Sequence, residues 1–414
     1  MGILVGGGPA PGINGVISAA TIEAVTNGVD VLGFLEGFRY LVDGDGSHIR
    51  WLRIEDVSRI HFQGGSILLT SRTNPTKRRE SLENTLRVFE RHHVRYLLTI
   101  GGDDTAYAAS QLSKSAGDRL AIAHVPKTID NDLPLPPTIP TFGFQTARHA
   151  GVQIVQNLMA DAQTAPRWYV VVAMGRKAGH LALGIGKAAA APLILIPEEF
   201  GSRAVRFEEI CDIVEGSIIK RRASHRDHGV ALLAEGLVEH MTPEYREELF
   251  GAEDVVRDEY GNINLDNIEL GRAVRDELRA RFKARGLAIT VINKNLGYEL
   301  RCADPIPYDC EYTRDLGYGA VRYLLSGGTA AVITFHGGVM KPMPFDDDAL
   351  WDAERRRFRV RMVDVQGESF QVALSYMIRL EARDRKDPEK FQALCHAANL
   401  SAEEFEKRFG YLMR

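Results

Sequence analysis

Residues 96–132 read YLLTIGGDDTAYAASQLSKSAGDRLAIAHVPKTIDND. An apolar run, Tyr96 to Ile100, stops at two glycines, and Ala106 to Ser113 follows at helix length and amphipathic spacing. A second apolar run, Leu120 to Val125, then stops at Pro126-Lys127. Two buried strands joined by one helix make a parallel unit, because parallel strands need a long crossover that a helix supplies. The same alternation extends outward. Strand-like runs recur at Ile3–Val5, Val31–Leu35, Tyr169–Ala173, Leu193–Ile196, Val230–Ala234 and Ala330–Thr334, with helical segments such as Ser81–His92 between them. The expected fold is α/β, with largely parallel sheets covered on both faces. Ligands of such sheets lie beyond the carboxyl ends of the strands, so the residues just after each run carry most weight.

A length of 414 residues predicts two or three domains, and 45% hydrophobic with 26% charged residues excludes a disordered or fibrous chain. With 51 basic against 55 acidic residues the net charge is −4, which offers no basic field for nucleic acid. The four cysteines, Cys211, Cys302, Cys310 and Cys395, form no framework, and a reducing compartment without disulfides is expected. No apolar run approaches the ~20 residues of a membrane span, and Met1-Gly2 leads into Ile3 without a charged leader. A cytoplasmic protein that neither crosses a membrane nor binds nucleic acid is the expectation.

Proline-dense Pro134–Pro140 cannot be helical and predicts a domain crossing. Thr242-Pro243 reads as a helix start, and Ser401 with Glu404 as a capping box. From about Val339 the chain reads as charged and helical.

Several strand ends carry residues suited to chemistry. Gly6-Gly7-Gly8-Pro9-Ala10-Pro11-Gly12 offers bare backbone before a helix, which suits either phosphate or a tight structural turn. Gly101-Gly102-Asp103-Asp104-Thr105 suits Mg²⁺ held through one acid beside an anionic ligand, against the simpler reading of a helix-capping pair. In Pro126-Lys127-Thr128-Ile129-Asp130-Asn131-Asp132 the two acids stand two apart, so an extended loop turns both to one site, with Lys127 at its edge. Neighbouring acidic loops are unfavourable without a cation to balance them. Met174-Gly175-Arg176, Arg167, Glu235-Gly236 and Gly297-Tyr298-Glu299-Leu300-Arg301 add groups able to orient a sugar phosphate. His225 and His228 lack a third ligand and read as exposed.

Together with Gly64-Gly65-Ser66, Ser71-Arg72 and Pro305-Ile306-Pro307-Tyr308-Asp309, these elements resemble the phosphofructokinase family in order and spacing across most of residues 3–335. The resemblance implies two Rossmann-like α/β domains; the helical C-terminal extension that follows them is not explained by it. A phosphoryl-donor and Mg²⁺ domain would comprise 1–141 and 305–350, and a sugar-phosphate domain 142–304 and 351–414. It implies phosphoryl transfer to the 1-hydroxyl of fructose 6-phosphate, with Asp130 as base, Asp103 on Mg²⁺, and Thr128, Asp132 and Arg176 positioning the reacting groups. Gly7, Arg72, Asp104 and Lys127 would face the donor. Arg167, Met174, Gly175, Arg176, Glu235, Tyr298 and Arg301 would bind the sugar phosphate, Arg167 reaching in from a second subunit of a homodimer or homotetramer. The family's ATP-using members usually carry glycine where this chain has Asp104 and Lys127, a pair that resembles the pyrophosphate-dependent branch. A carboxylate there excludes a nucleotide by bulk and like charge, and a lysine suits a small diphosphate. Pyrophosphate is the expected donor and the reaction is expected to be reversible. The alternatives are an ATP-dependent enzyme with unusual donor residues and a non-catalytic regulatory subunit. Tyr298 and Pro9 depart from the common pattern, and the arginine expected before Tyr298 is absent: Ile292 falls there, with Lys294 as the nearest substitute. The terminal helices are expected to pack on the sugar-phosphate domain or on a partner subunit.

Overall fold

The computed structural model describes residues 1–136, 138–256, 263, 265–352 and 357–413, and within them every apolar run named above is a strand. Burial is the reason: Ile3, Leu4, Val5, Leu97, Leu98, Ile100, Ile122 and Val125 are fully enclosed, and β-branched and aliphatic side chains packed on both faces hold a parallel sheet in place. Two units emerge. One is built from Met1–Ala147 and Tyr298–Arg361, the other from the described residues of 148–297 and from Met362 onward. The division expected from the sequence differs at 142–147, 298–304 and the described residues of 351–361, which group with the first unit. The described residues of 134–140 accordingly lie inside that unit, and the chain leaves it along the helix Phe144–Thr164.

In the first unit the sheet order is Val339–Pro344, Ala331–His336, Ala121–Thr128, Tyr96–Gly101, Gly2–Val5, Val31–Phe34, Ile49–Leu52. The interior pairs are parallel and the two edge strands antiparallel. In the second unit Val291–Leu296, Trp168–Ala173, Gly229–Ala234 and Leu193–Leu195 form a parallel sheet in that order. Of the described strands of four or more residues, three escape a search for apolar runs, and all three are edges. Ile49–Leu52 exposes Arg50 and Trp51, Val291–Leu296 is polar at its centre, and Val339–Pro344 is mostly exposed. An edge strand buries less, so its sequence need not be apolar. The expectation of helix from Val339 onward therefore fails for that strand and for the short pairing of Trp351–Asp352 with Arg357–Phe358; helices begin at Glu368.

The terminal helices Pro388–Ala398 and Ala402–Phe409 pack on Phe207–Ala223 in the second unit, with Leu394, Phe405 and Phe409 buried around Ile219. Each phenylalanine so enclosed contributes about 1.5–3 kcal/mol. Both expected helix starts are present. Ser401 Oγ accepts from the Glu404 amide at 3.2 Å while Glu404 accepts from the Ser401 amide at 2.8 Å, and Thr242 Oγ1 accepts from the Tyr245 amide at 3.3 Å ahead of Pro243. Among the described residues no helix is long and apolar enough to cross a membrane.

Candidate active site

The glycine loop of the first unit is fastened from below. Gly6 donates to the Ile100 carbonyl at 2.9 Å and Gly7 to the Ser71 carbonyl at 2.8 Å. Thr70 Oγ1 donates to the Gly7 carbonyl at 2.6 Å. Gly7 has φ +82°, a backbone conformation that costs other residues steric energy, so the loop stays narrow over the strand ends. Ser71, on an isolated bridge to Gly6, sets Arg72 beside this loop with its side chain exposed.

Lys127 ends the neighbouring strand and points under the loop. Only 4% exposed, it donates through Nζ to the Gly8 carbonyl. Burial pushes its ammonium down to about 8. Arg301 and Arg72 push the same way, while Asp130 and Asp103 oppose them. One buried cation thus stands within the field of two more cations and two acids. An ammonium carries three donors, and the Gly8 bond uses one. Arg301 also approaches Gly8, where a Cβ would lie 3.6 Å from its guanidinium carbon, and that guanidinium lies 5.0 Å from the centre of the Tyr298 ring. Arg301, expected on the sugar phosphate, therefore sits near the residues expected to face the donor.

Asp103 and Asp104 are not capping residues. Gly102 holds the cap position of the helix Asp103–Ala116, and the two acids occupy its first turn, where the positive end of the helix stabilises carboxylates. Asp103 Oδ1 accepts from the Asp104 amide at 3.0 Å, which orients the carboxylate. Behind this turn His124 is fully buried. Its Nε2 lies 3.1 Å from the Gly101 carbonyl and its Nδ1 2.9 Å from the Thr99 hydroxyl. A carbonyl only accepts, so the proton resides on Nε2 and Thr99 donates to Nδ1. Burial pushes the imidazole down to about 3, with the Gly101 bond opposing, and the neutral ring steadies the two-glycine turn.

The loop bearing Asp130 and Asp132 is not extended. Asn131 adopts φ +58°, and its side-chain oxygen accepts from the Thr141 amide at 3.0 Å; Thr141 Oγ1 donates to the Thr128 carbonyl at 2.8 Å, and Thr128 Oγ1 accepts from the Asp130 amide at 3.1 Å. The two-residue spacing argument for Asp130 and Asp132 therefore does not apply, since a left-handed residue between them breaks strand alternation. Asn tolerates that conformation better than most residues. Asp309, buried, accepts from the Gly143 and Thr146 amides at 3.0 and 2.8 Å and caps the helix that follows.

In the second unit Met174-Gly175-Arg176 turns sharply at the end of its strand. Glu235 Oε1 accepts from the Gly175 amide at 3.3 Å, and Arg176 lies 4.0 Å from Glu239. A Cβ at Gly236 would fall 2.6 Å from the Arg176 carbonyl, so glycine is required for this approach. Arg167 does not join this group within one chain. It precedes the strand Trp168–Ala173, at the opposite end from Met174, and donates to the Ala165 carbonyl at 2.9 Å; six residues of strand separate the two by about 20 Å. His225 and His228 lie past the helix that ends at Ala223, in the turn before the next strand.

Sequence reasoning missed Thr70, His124 and Arg361. His124 left a signal, a lone polar residue inside an apolar run; Thr70 and Arg361 left none, because their partners are backbone carbonyls distant in the chain.

A family profile described as Phosphofructokinase matches residues 1–324. The chain is 54% identical to a protein named pyrophosphate--fructose 6-phosphate 1-phosphotransferase of Naegleria fowleri, over 100% of this chain and 96% of that one. It is 50% identical to one of the same name from Thermotoga maritima, over 99% and 97%. The fold is similar to that of a pyrophosphate-dependent phosphofructokinase from Marinobacter aquaeolei, with a TM-score of 0.67 at 17% identity over 91% of each chain. A profile match over most of the sequence, joined to relatives this similar across nearly its whole length, means that the chain belongs to the phosphofructokinase family.

Proposed function

We propose that this chain transfers a phosphoryl group from pyrophosphate to the 1-hydroxyl of fructose 6-phosphate, giving fructose 1,6-bisphosphate and phosphate, reversibly. The names of relatives 54% and 50% identical over nearly the whole chain support the reaction. The observation that carries the choice of donor is Lys127, enclosed beneath the glycine loop in a field of Arg72, Arg301, Asp103 and Asp130.

Phosphoryl transfer asks a protein mainly to position the reactants and neutralise charge. Lys127 and Arg72 bind the diphosphate, and the bare backbone at Gly7 allows its close approach. Asp104, on the first turn of its helix, excludes a nucleotide by charge and bulk. Asp130 removes the proton of the attacking 1-hydroxyl, with Thr128 and Asp132 keeping its loop in place and Arg176 balancing charge on the transferred group. Met174, Gly175, Glu235 and Tyr298 hold the sugar phosphate, Arg301 serves it from its place beside Gly8 on the donor side, and Arg167 serves it from a partner subunit in a homodimer or homotetramer. The half-buried Asp103 beside two glycines fits Mg²⁺, which takes one or two carboxylates and completes its shell from phosphate and water. Bound there, the ion would screen the diphosphate oxygens. The lack of any apolar membrane-spanning helix among the described residues agrees with a cytoplasmic enzyme. Steady-state assay of the purified chain tests the proposal: fructose 1,6-bisphosphate should form with pyrophosphate and not with ATP. Activity with ATP alone would favour the ATP-dependent reading, and inactivity with both the regulatory one.

A further inference from the structure

Arg361 lies beyond the matched family region, which ends at 324, yet its bonds converge on the loop that carries Asp130. Its amide donates to the Asp132 carbonyl at 2.8 Å. Nε donates to the Asn131 carbonyl at 3.0 Å, Nη2 to the Asn131 side-chain oxygen, and Nη1 to the Ile139 carbonyl at 2.7 Å, with the Leu135 and Pro136 carbonyls at 3.5 and 3.4 Å. The segment needs such a donor. Pro134, Pro136, Pro137 and Pro140 have no amide hydrogen, so the carbonyls between them cannot all be paired locally. A planar guanidinium, with five donors in fixed directions, can serve both ends of the loop at once, which an ammonium cannot. Asp132 adds an opposite charge within reach. The Asn131 side chain bridges Arg361 to Thr141, so the left-handed residue between the two acids is gripped from both sides.

We propose that Arg361 is a positioning residue for phosphoryl transfer: it fixes Asn131 and Asp132 and, through them, holds the Asp130 carboxylate where it can take the hydroxyl proton. A segment outside the shared family core thereby sets the catalytic geometry. The inference rests on the reading of Asp130 as the base.

The test uses the full chain with Arg361→Ala, Arg361→Lys and Asp130→Asn, measuring kcat, KM for each substrate, the pH profile of kcat and the folded fraction by circular dichroism. Arg361→Ala should lose about 10²-fold in kcat, the usual cost of misplacing a reacting group, while KM for pyrophosphate changes less than about threefold. Its kcat–pH profile should shift, and guanidinium chloride below denaturing concentration should restore part of the rate. Arg361→Lys, which keeps the charge and loses the fork, should remain within about tenfold of the alanine variant. Wild-type kcat in either folded Arg361 variant, alongside an inactive Asp130→Asn, overturns the positioning role alone. A loss of kcat that merely tracks the folded fraction, with no rescue and an unshifted pH profile, also overturns it. An active Asp130→Asn instead overturns the assignment of the base.

Discussion

Two charge clusters in this molecule, each centred on one buried group, are built to opposite specifications. In the second unit the fully enclosed Glu215 receives Arg281 at 3.0 Å, Arg408 at 2.9 Å and Arg285, while Arg281 also reaches Asp212 at 2.7 Å. Every charge there has a protein partner in contact, and the cluster ties the terminal helix to the helices beneath it. In the first unit Lys127 donates to a neutral carbonyl, Arg301 and Arg72 repel it, and burial with that repulsion lowers it to about 8. A cluster that neutralises itself serves stability. The second sets Lys127, Arg72 and Arg301 against Asp103 and Asp130, and on the proposed reading a diphosphate would be the anion that this cation excess receives.

Truncating each cluster should break this contrast most strongly if it is wrong. Glu215→Ala should cost about 3–5 kcal/mol in denaturant unfolding, because it strands buried guanidinium groups, and should leave pyrophosphate kinetics unaltered. Lys127→Ala should leave stability unchanged or raised, and should lower kcat/KM for pyrophosphate about 10²-fold, the size of one or two charge-assisted hydrogen bonds. If Lys127→Ala destabilises the fold as Glu215→Ala does, the two clusters have the same purpose.

A pH titration sharpens the comparison. The free enzyme should lose Lys127 charge as pH rises through about 8, so kcat/KM for pyrophosphate should fall toward tenfold per unit above it, and Lys127→Arg should extend the plateau to higher pH. A flat profile to pH 9.5 in the wild type would mean that Lys127 does not govern donor capture.

The smallest effect concerns His124. Its folded value near 3 lies below the ordinary 6.5, so the unfolded chain takes up the proton first: stability is whole above 6.5 and declines as pH falls toward 3. About 1 kcal/mol should disappear over the first unit below 6.5, and His124→Gln, which can still donate to Gly101, should flatten that decline in urea unfolding. Equal slopes in the two proteins would contradict the buried neutral ring.

Much of this was legible in the residues. Interior strands had to be apolar, so Tyr96–Gly101 and Trp168–Ala173 announced themselves, and the loops after them carried the charged residues that chemistry needs. Edge strands such as Val291–Leu296 were hidden because one side faces no neighbouring strand and polar residues suffice. Within the site, Lys127 could be named from its place after a strand, yet its burial under Gly8 could not, since it depends on a loop 119 residues away. Arg361 was invisible for the same reason: most of its partners are backbone carbonyls, which any residue carries, and all of them lie over 220 residues away. The extended reading of Asp130 to Asp132 failed because spacing describes side chains and says nothing of the left-handed backbone at Asn131.

The central claim is that Asp104 and Lys127 select the diphosphate over the nucleotide. Its most direct test is the ratio of kcat/KM for pyrophosphate to that for ATP, measured in the wild type and in the double variant Asp104→Gly with Lys127→Gly. The account predicts a ratio strongly favouring pyrophosphate in the wild type that falls by at least about 10³-fold in the double variant, as one attraction and one repulsion are removed together. An unchanged ratio in a folded double variant would contradict it.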